Sequence, residues 1–307
     1  MKIVVQGNCQ SRPVSTFLDV ACEKAELLPP VVTQLQTDAD MENDYKAFSS
    51  ADVIFAQWVS DDYRVGHLAT SRIKAEFGDK VVTWPNAFFI GQNPDIVAIA
   101  TDTKPRLIGP LDTYHVRSIF KSWINDVSVS DCLSEQTNPS IYPNKLLENV
   151  ETSLTELGNR EQLLDIGISD YVKQHWLDKK LFHVFNHPTN ALLVELVNRM
   201  CKFINMDSSV SILPEFWPEY LNRIIAPSTP AIDSALGFKF KTSTASKGFS
   251  LTMNEEKGLQ LGEISVMSVE KLVEKFYFSY DNQISRSDEY KFTPVYLQEN
   301  YQLEKAA

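Results

Sequence analysis

Paired cysteines are missing from this chain. Cys9, Cys22, Cys132 and Cys201 are its only cysteines, and no two stand at a CxxC spacing, which argues against a disulfide framework and against a thiolate zinc site. Long apolar runs are missing too: no window stays apolar for the roughly 18 residues that a membrane span needs. Met1-Lys2 leads into a short apolar stretch and then polar residues, with no leader-like core or small-residue cleavage site. The expected location is therefore a reducing cytoplasm. Basic charge is scarce as well. Against 40 Asp and Glu stand 29 Lys and Arg, a formal net charge of −11, so a nucleic-acid partner is not expected, because phosphate binding needs cations gathered on one face. The densest cationic patch, Phe238-Lys-Phe-Lys241 with Lys247 nearby, reads as a solvated strand face. There is no internal repeat.

What remains is ordinary globular composition, 43% hydrophobic and 22% charged over 307 residues, enough to bury a large core. The first third alternates strand and helix patterns. Lys2 to Gln6 is a β-branched run. Pro13 to Glu26 has helical periodicity, with Val14, Phe17, Leu18 and Ala21 facing inward. LLPPVVTQ (27–34), DVIFAQ (52–57) and KVVTW (80–84) read as further strands, with an acidic loop TDADMENDY after the second and a helix over His67 to Phe77. This spacing predicts an α/β fold with a flavodoxin-like parallel-sheet N-terminal core. Beyond residue 110 the pattern is mainly helical (Thr113–Asp126, Asn144–Leu157, Asp165–Lys180, Asn190–Ile204), with one strand at Leu181–Phe185 and a long loop at Val127–Pro143. An irregular C-terminal segment follows: LPEFWPEYLNRIIAPSTPAID is a packed proline- and aromatic-rich stretch, TSTASKGFSLTMNEEKG is polar, and a last helix covers Val269–Tyr280. The expected division is a catalytic core over 1–205 and a packed extension over 206–307.

Parallel sheets place working residues at the carboxyl ends of their strands. Gly7-Asn8-Cys9 follows the first strand, Gln57-Trp58 the third and Pro85-Asn86 the fourth. Gly7 is expected to supply a left-handed turn and Asn8 to set up the first helical turn. Cys9 then meets unpaired N–H groups and the positive end of a helix dipole, with Arg12 close by, which predicts a thiol biased toward ionisation. The competing account is a small buried hydrophobe, against which stand its polar neighbours Asn8, Gln10, Ser11 and Arg12. A nucleophilic thiol needs a base. His67 and His175 read as surface residues and His183 as a core or edge-strand residue. His115, in GPLDTYH, and His187, in FNHPTN, remain as alternatives, His187 being favoured because it also sits at a strand end.

GNCQS, WPNAFFIGQNPD, GPLDTYH and LFHVFNHPTN, spread over roughly residues 1 to 205, together resemble the WcbI-like family of bacterial polysaccharide-biosynthesis acetyltransferases. The resemblance implies an acetyl-CoA-dependent O-acetyltransferase acting on a surface or capsular polysaccharide or its precursor. Cys9 and His187 are carried over from the GNC and HPT segments, coenzyme A is the acyl donor, a glycan is the acceptor, and no metal is implied; the oligomeric state stays open. A more distant likeness is to SGNH hydrolases, in which Gly7-Asn8-Cys9 looks like the GDS turn and Asn86 like the oxyanion asparagine, while Asp112-Thr-Tyr-His115 has the DxxH spacing early in the chain. Backbone N–H groups at Asn8 to Gln10 and the side chains of Asn86 or Gln57 are the expected oxyanion donors. Arg12 is the first candidate for the phosphates of CoA, ahead of Arg117 and Lys121. The alternatives are a thiol esterase or deacetylase using the same residues, and a non-catalytic carbohydrate-binding protein that stacks sugars on Phe216, Trp217 and Tyr220.

Overall fold

The computed structural model describes residues 1–102, 104–138, 145–206 and 214–293. In chain order it opens with β1 (Lys2–Gly7), α1 (Ser11–Ala21), β2 (Glu26–Leu27), β3 (Val31–Val32), α2 (Met41–Ser50), β4 (Val53–Gln57), α3 (Thr70–Phe77), β5 (Val81–Trp84) and β6 (Ile96–Thr101). There follow β7 (His115–Val116), α4 (Arg117–Ile124), α5 (Val129–Thr137), α6 (Lys145–Glu161), α7 (Ser169–His175), β8 (Phe182–Val184), β9 (His187–Pro188) and α8 (Asn190–Phe203). The last elements are α9 (Pro230–Leu236), β10 (Ser246–Asn254), β11 (Gly258–Met267), α10 (Val269–Asp281) and β12 (Tyr290–Thr293). The chain divides into two compact units. Unit 1 holds Met1–Phe89, Ser153–Trp176 and Asn186–Leu221; unit 2 holds Ile90–Thr152, Leu177–Phe185 and the chain from Asn222 onward.

Unit 1 is the parallel α/β core. Its sheet of five strands runs β2-β1-β4-β5, with β3 also pairing β1. Register is set by Lys2 opposite Glu26, Gln6 opposite Val31, Val4 opposite Ile54 and Phe55 opposite Val82. The chain lays β2 and β3 on one side of β1 and returns to place β4 on the other, so the order reverses between β1 and β4. Open α/β sheets bind ligands at such a reversal, beyond the carboxyl ends of the strands. One face of the sheet packs Val4, Ile54, Ala56 and Val81 with Phe48, Leu68 and Ile73. On α1 the inward positions expected from periodicity, Val14, Phe17, Leu18 and Ala21, are all buried, each worth roughly 1.5–3 kcal/mol for the larger side chains. The helix starts two residues after Cys9 and packs against α8.

Several expectations change. LLPPVVTQ forms two two-residue strands rather than one, because Pro29 and Pro30 cannot donate to a ladder. The acidic loop TDADMENDY is mostly the short 3-10 turn Asp38–Asp40 followed by α2, whose Phe48 is buried and whose Tyr45 meets the Phe48 and Phe77 rings. The long loop predicted at Val127–Pro143 contains α5, capped by the Ser128 hydroxyl accepting from the Asp131 N–H, while residues 139–143 lie outside the described residues.

Unit 2 has a three-stranded antiparallel sheet, β12-β6-β7, and a hairpin of β10 and β11 with an irregularity between Phe249 and Leu251. That hairpin falls where a polar segment was expected. Its exposed residues mix polar Thr252, Asn254 and Glu263 with apolar Met253, Ile264 and Val266, and its turn is closed by Asn254 Oδ1 accepting from the Glu256 and Lys257 N–H groups before Gly258 at φ +70°. The predicted helix over Thr113–Asp126 begins only at Arg117, after β7. Phe238 to Lys241 is not a strand; the Phe238 and Phe240 rings pack on each other. No helix among the described residues is long and apolar enough to cross a membrane.

Candidate active site

Cys9 stands at the reversal between β1 and β4, half-buried, between the end of β1 and the first residue of α1. The turn that carries it is held by primary amides. Gln57 Oε1 accepts from the Asn8 N–H at 2.8 Å, and Asn8 Oδ1 accepts from the Gln10 N–H at 2.9 Å. Asn86 Oδ1 accepts from Asn8 Nδ2 at 3.0 Å and from Gln10 Nε2 at 3.1 Å. The Ser11 hydroxyl closes the turn on the Asn8 carbonyl at 2.8 Å. A polar network this complete orders the loop that it surrounds.

Gln10 is the hub. It is fully buried; its Oε1 accepts from the Ala87 N–H (3.1 Å) and Gln57 Nε2 (3.2 Å), and its Nε2 also reaches the carbonyls of Ala87 and Asn186, each at 3.0 Å. The residue after Cys9 is thereby tied to the residue before His187, across 176 positions of sequence. His187 is half-buried at the start of β9 and leads into α8. The helices α1 and α8 thus start at the same place and pack side by side. Sequence reading missed Ala87 and Asn186, which contribute backbone atoms; the only local signal was that Asn186 precedes the chosen histidine.

Three properties differ from expectation. Gly7 is not among the residues with positive φ. Glycine is needed there for close approach, since a Cβ would stand 2.7 Å from Trp84 Cζ2 and 3.1 Å from Gln57 Cβ. The Cys9 thiol is raised above its ordinary pKa: burial outweighs the backbone N–H groups of Cys9 and Gln10, which stabilise the thiolate. Arg12 does not offset that burial; it is exposed and lines an open groove of about 480 Å3 with Ser15, Thr16, Leu28 and Pro29. Gln57, finally, is buried with both ends of its amide engaged, Oε1 by Asn8 and Nε2 by Gln10 and by the Pro85 carbonyl. It positions the turn and has no donor left for an oxyanion. Asn86 differs, because both of its bonds use Oδ1 and, among the described residues, its Nδ2 donates to no protein group.

Three other histidines fall into structural roles. His115 is completely buried in unit 2: Nε2 donates to the Leu107 carbonyl at 3.2 Å and Nδ1 accepts from the Tyr280 hydroxyl at 3.1 Å. Burial lowers its pKa to about 4, and with both nitrogens engaged it is a core residue rather than a base. His67, expected at the surface, is buried with Nε2 2.8 Å from Asp44 Oδ2. His183 is buried in β8, as expected. Arg117 forms a buried ion pair with Asp95 at 3.4 Å, and burial lowers the pKa of the half-buried Lys121. Half-buried Trp217 and Tyr220 pack edge-on against the fully buried Phe17 at 5.7 and 5.5 Å; Phe216 is exposed.

A family model described as the polysaccharide biosynthesis enzyme WcbI matches residues 2–209. No curated protein matches the chain. A similar solved structure covers 93% of this chain and 91% of its own, with a TM-score of 0.73 and 17% identity. It is described as WcbI, a novel polysaccharide biosynthesis enzyme, the native protein without a disulfide bond between CoA and a cysteine.

Proposed function

The chain belongs to the WcbI family of polysaccharide biosynthesis enzymes, and from that premise we propose that it transfers an acetyl group from acetyl-CoA to a hydroxyl of a bacterial surface or capsular polysaccharide or its precursor. The observation that carries this reading is the Gln10 tether, which fixes the Cys9 turn to the Asn186–His187 segment at a sheet reversal. The groove beside α1 suits the donor. Arg12 offers a cation to its phosphates, and Leu28 and Pro29 offer an apolar wall to its pantetheine arm. The similar solved structure is of a protein described in terms of CoA and a cysteine, which supports placing the thioester beside Cys9.

Because burial keeps the Cys9 thiol protonated at neutral pH, the sulfur needs a base to react, and His187 is that base. His187 takes the thiol proton, Sγ bonds to the acetyl carbon, and the CoA thiol leaves with that proton. A sugar hydroxyl then loses its proton to His187, its oxygen bonds to the acetyl carbon, and the Sγ–carbon bond breaks to return the thiol. In both halves the carbonyl oxygen gains negative charge, which the Cys9 N–H and Asn86 Nδ2 stabilise. Trp58, 53% exposed next to Gln57, presents an aromatic face to the sugar.

The test follows labelled acetyl from acetyl-CoA into a glycan and into free acetate, in the wild type, Cys9→Ala and His187→Ala, alongside calorimetry with CoA. The expected result is label in the glycan, lost by about 10³-fold or more in either variant. Label only in acetate would replace transfer by hydrolysis. Unchanged transfer in both variants would remove the assignment of residues, and no heat with CoA would favour a carbohydrate-binding protein.

A further inference from the structure

The proposed transfer reaction uses one cysteine, yet unit 1 brings two others together. Cys22 and Cys201 are 179 residues apart in sequence, buried at 1% and 2% exposure, and their sulfurs stand 3.1 Å from each other. Both are free thiols. Cys22 caps the carboxyl end of α1, its N–H donating to the Leu18 carbonyl at 2.8 Å, and Cys201 lies in the last turn of α8. These are the two helices whose amino ends carry Cys9–Gln10 and follow His187. The pair therefore joins at one end the same two helices that the Gln10 tether joins at the other. Nothing in acyl transfer requires two thiols there, about 16 Å of helix away from the turn.

We propose that Cys22 and Cys201 form a reversible dithiol–disulfide couple that locks α1 to α8 when the protein meets a peroxide. The Cys22 sulfur attacks one oxygen of hydrogen peroxide; an S–O bond forms, the O–O bond breaks, and the released hydroxide takes up the thiol proton as water. The Cys201 sulfur then attacks the Cys22 sulfur; the S–S bond forms, the S–O bond breaks, and the hydroxyl leaves with the Cys201 proton as a second water. Two thiols and one peroxide give one disulfide and two waters. The sulfurs need to close by about 1 Å to reach a bond of about 2.05 Å. The order of attack follows from the pair's own hydrogen bond: donation from the Cys201 thiol stabilises the Cys22 thiolate and lowers that group, and it raises Cys201.

The experiment treats the full-length wild type and Cys9→Ala with a few equivalents of hydrogen peroxide, blocks remaining thiols, and maps peptides without reduction. The expected product in both is a peptide pair joining Cys22 to Cys201, two hydrogens lighter than the separate peptides, monomeric, and reversed by dithiothreitol. Oxidised Cys9→Ala should melt about 5 °C or more above its reduced form, a shift absent when Cys201 is also replaced by Ala. Free thiols at both positions, independent over-oxidation of each, or a principal bridge to Cys9, Cys132 or a second molecule would overturn the proposal. Because the first readout is a covalent bond in the wild type, a folding defect in the Cys201→Ala variant cannot mask it, and because none of the readouts measures transfer, failure of the acetyltransferase reading leaves this test intact.

Discussion

Acidification isolates His115. In the folded protein its pKa is lowered to about 4 from 6.5 by burial, against the opposing effect of its bond to the Leu107 carbonyl. A histidine depressed in this way contributes full stability above the unfolded value and loses it as pH falls through 6.5 toward 4, because only the unfolded chain gains the proton. The difference of about 2.5 units corresponds to ~3.4 kcal/mol at the acid limit. Between pH 7 and pH 5 the loss works out at about 2 kcal/mol. The clean comparison is His115→Gln, whose amide can still accept from the Tyr280 hydroxyl and donate to the Leu107 carbonyl but binds no proton. Urea unfolding of both proteins at pH 7, 6 and 5, followed by circular dichroism, should show the variant losing about 2 kcal/mol less than the wild type over that range. Its transfer activity should stay within a few-fold of the wild type, as expected of a residue that packs against the Phe276 and Tyr280 rings. Equal pH slopes in the two proteins would refute the buried-neutral assignment, and loss of transfer with intact folding would restore His115 as a candidate base.

The remaining predictions concern the Cys9 turn. The rate of Cys9 alkylation by iodoacetamide should rise with pH to a midpoint above the ordinary thiol value, since burial favours the neutral form; a midpoint below that value would show that the turn stabilises the thiolate after all. Gly7→Ala forces a methyl against the fully buried Trp84 and against Gln57, which should cost about 1–3 kcal/mol by denaturant unfolding and lower transfer; no change in either would mean that the close approach is slack. Gln10→Ala strips partners from Asn86, Ala87, Gln57 and Asn186 and should cost about 3 kcal/mol or more and about 10²-fold in transfer rate, whereas a loss under 1 kcal/mol would show that the tether carries little.

The parallel core was legible because its strands are buried on both faces. Ile3 to Val5, Ile54 to Ala56 and Val81 to Trp84 are all buried, and such runs read as strands without knowledge of their partners. α2 was obscured by its acids: Phe48 is the one large side chain on it that is fully buried, and Asp38, Asp40, Glu42 and Asp44 made the stretch look like a loop. β10 and β11 were hidden because each strand is stabilised by the other, a pairing that local pattern does not encode. For the site, the residue types were visible and their work was not. His67 looked exposed because its partner Asp44 lies 23 positions earlier. Gly7 looked like a turn residue because the Trp84 ring that demands it comes from β5. Gln10 looked like one more polar neighbour of a cysteine, since its acceptors lie 76 to 176 positions away.

Unit 1 is assembled from three separate stretches of chain, and the last of them, Asn186–Leu221, supplies one of the acceptors for Gln10. A ribosome making about 5–20 residues per second needs roughly 10 to 35 s to add the 176 residues between Gln10 and Asn186. Throughout that interval the nascent chain carries Cys9 and the buried face of α1 without α8 to cover them. The fold thus sets a schedule: the half-buried setting of the Cys9 thiol is completed only once the chain has grown by a further 176 residues or more.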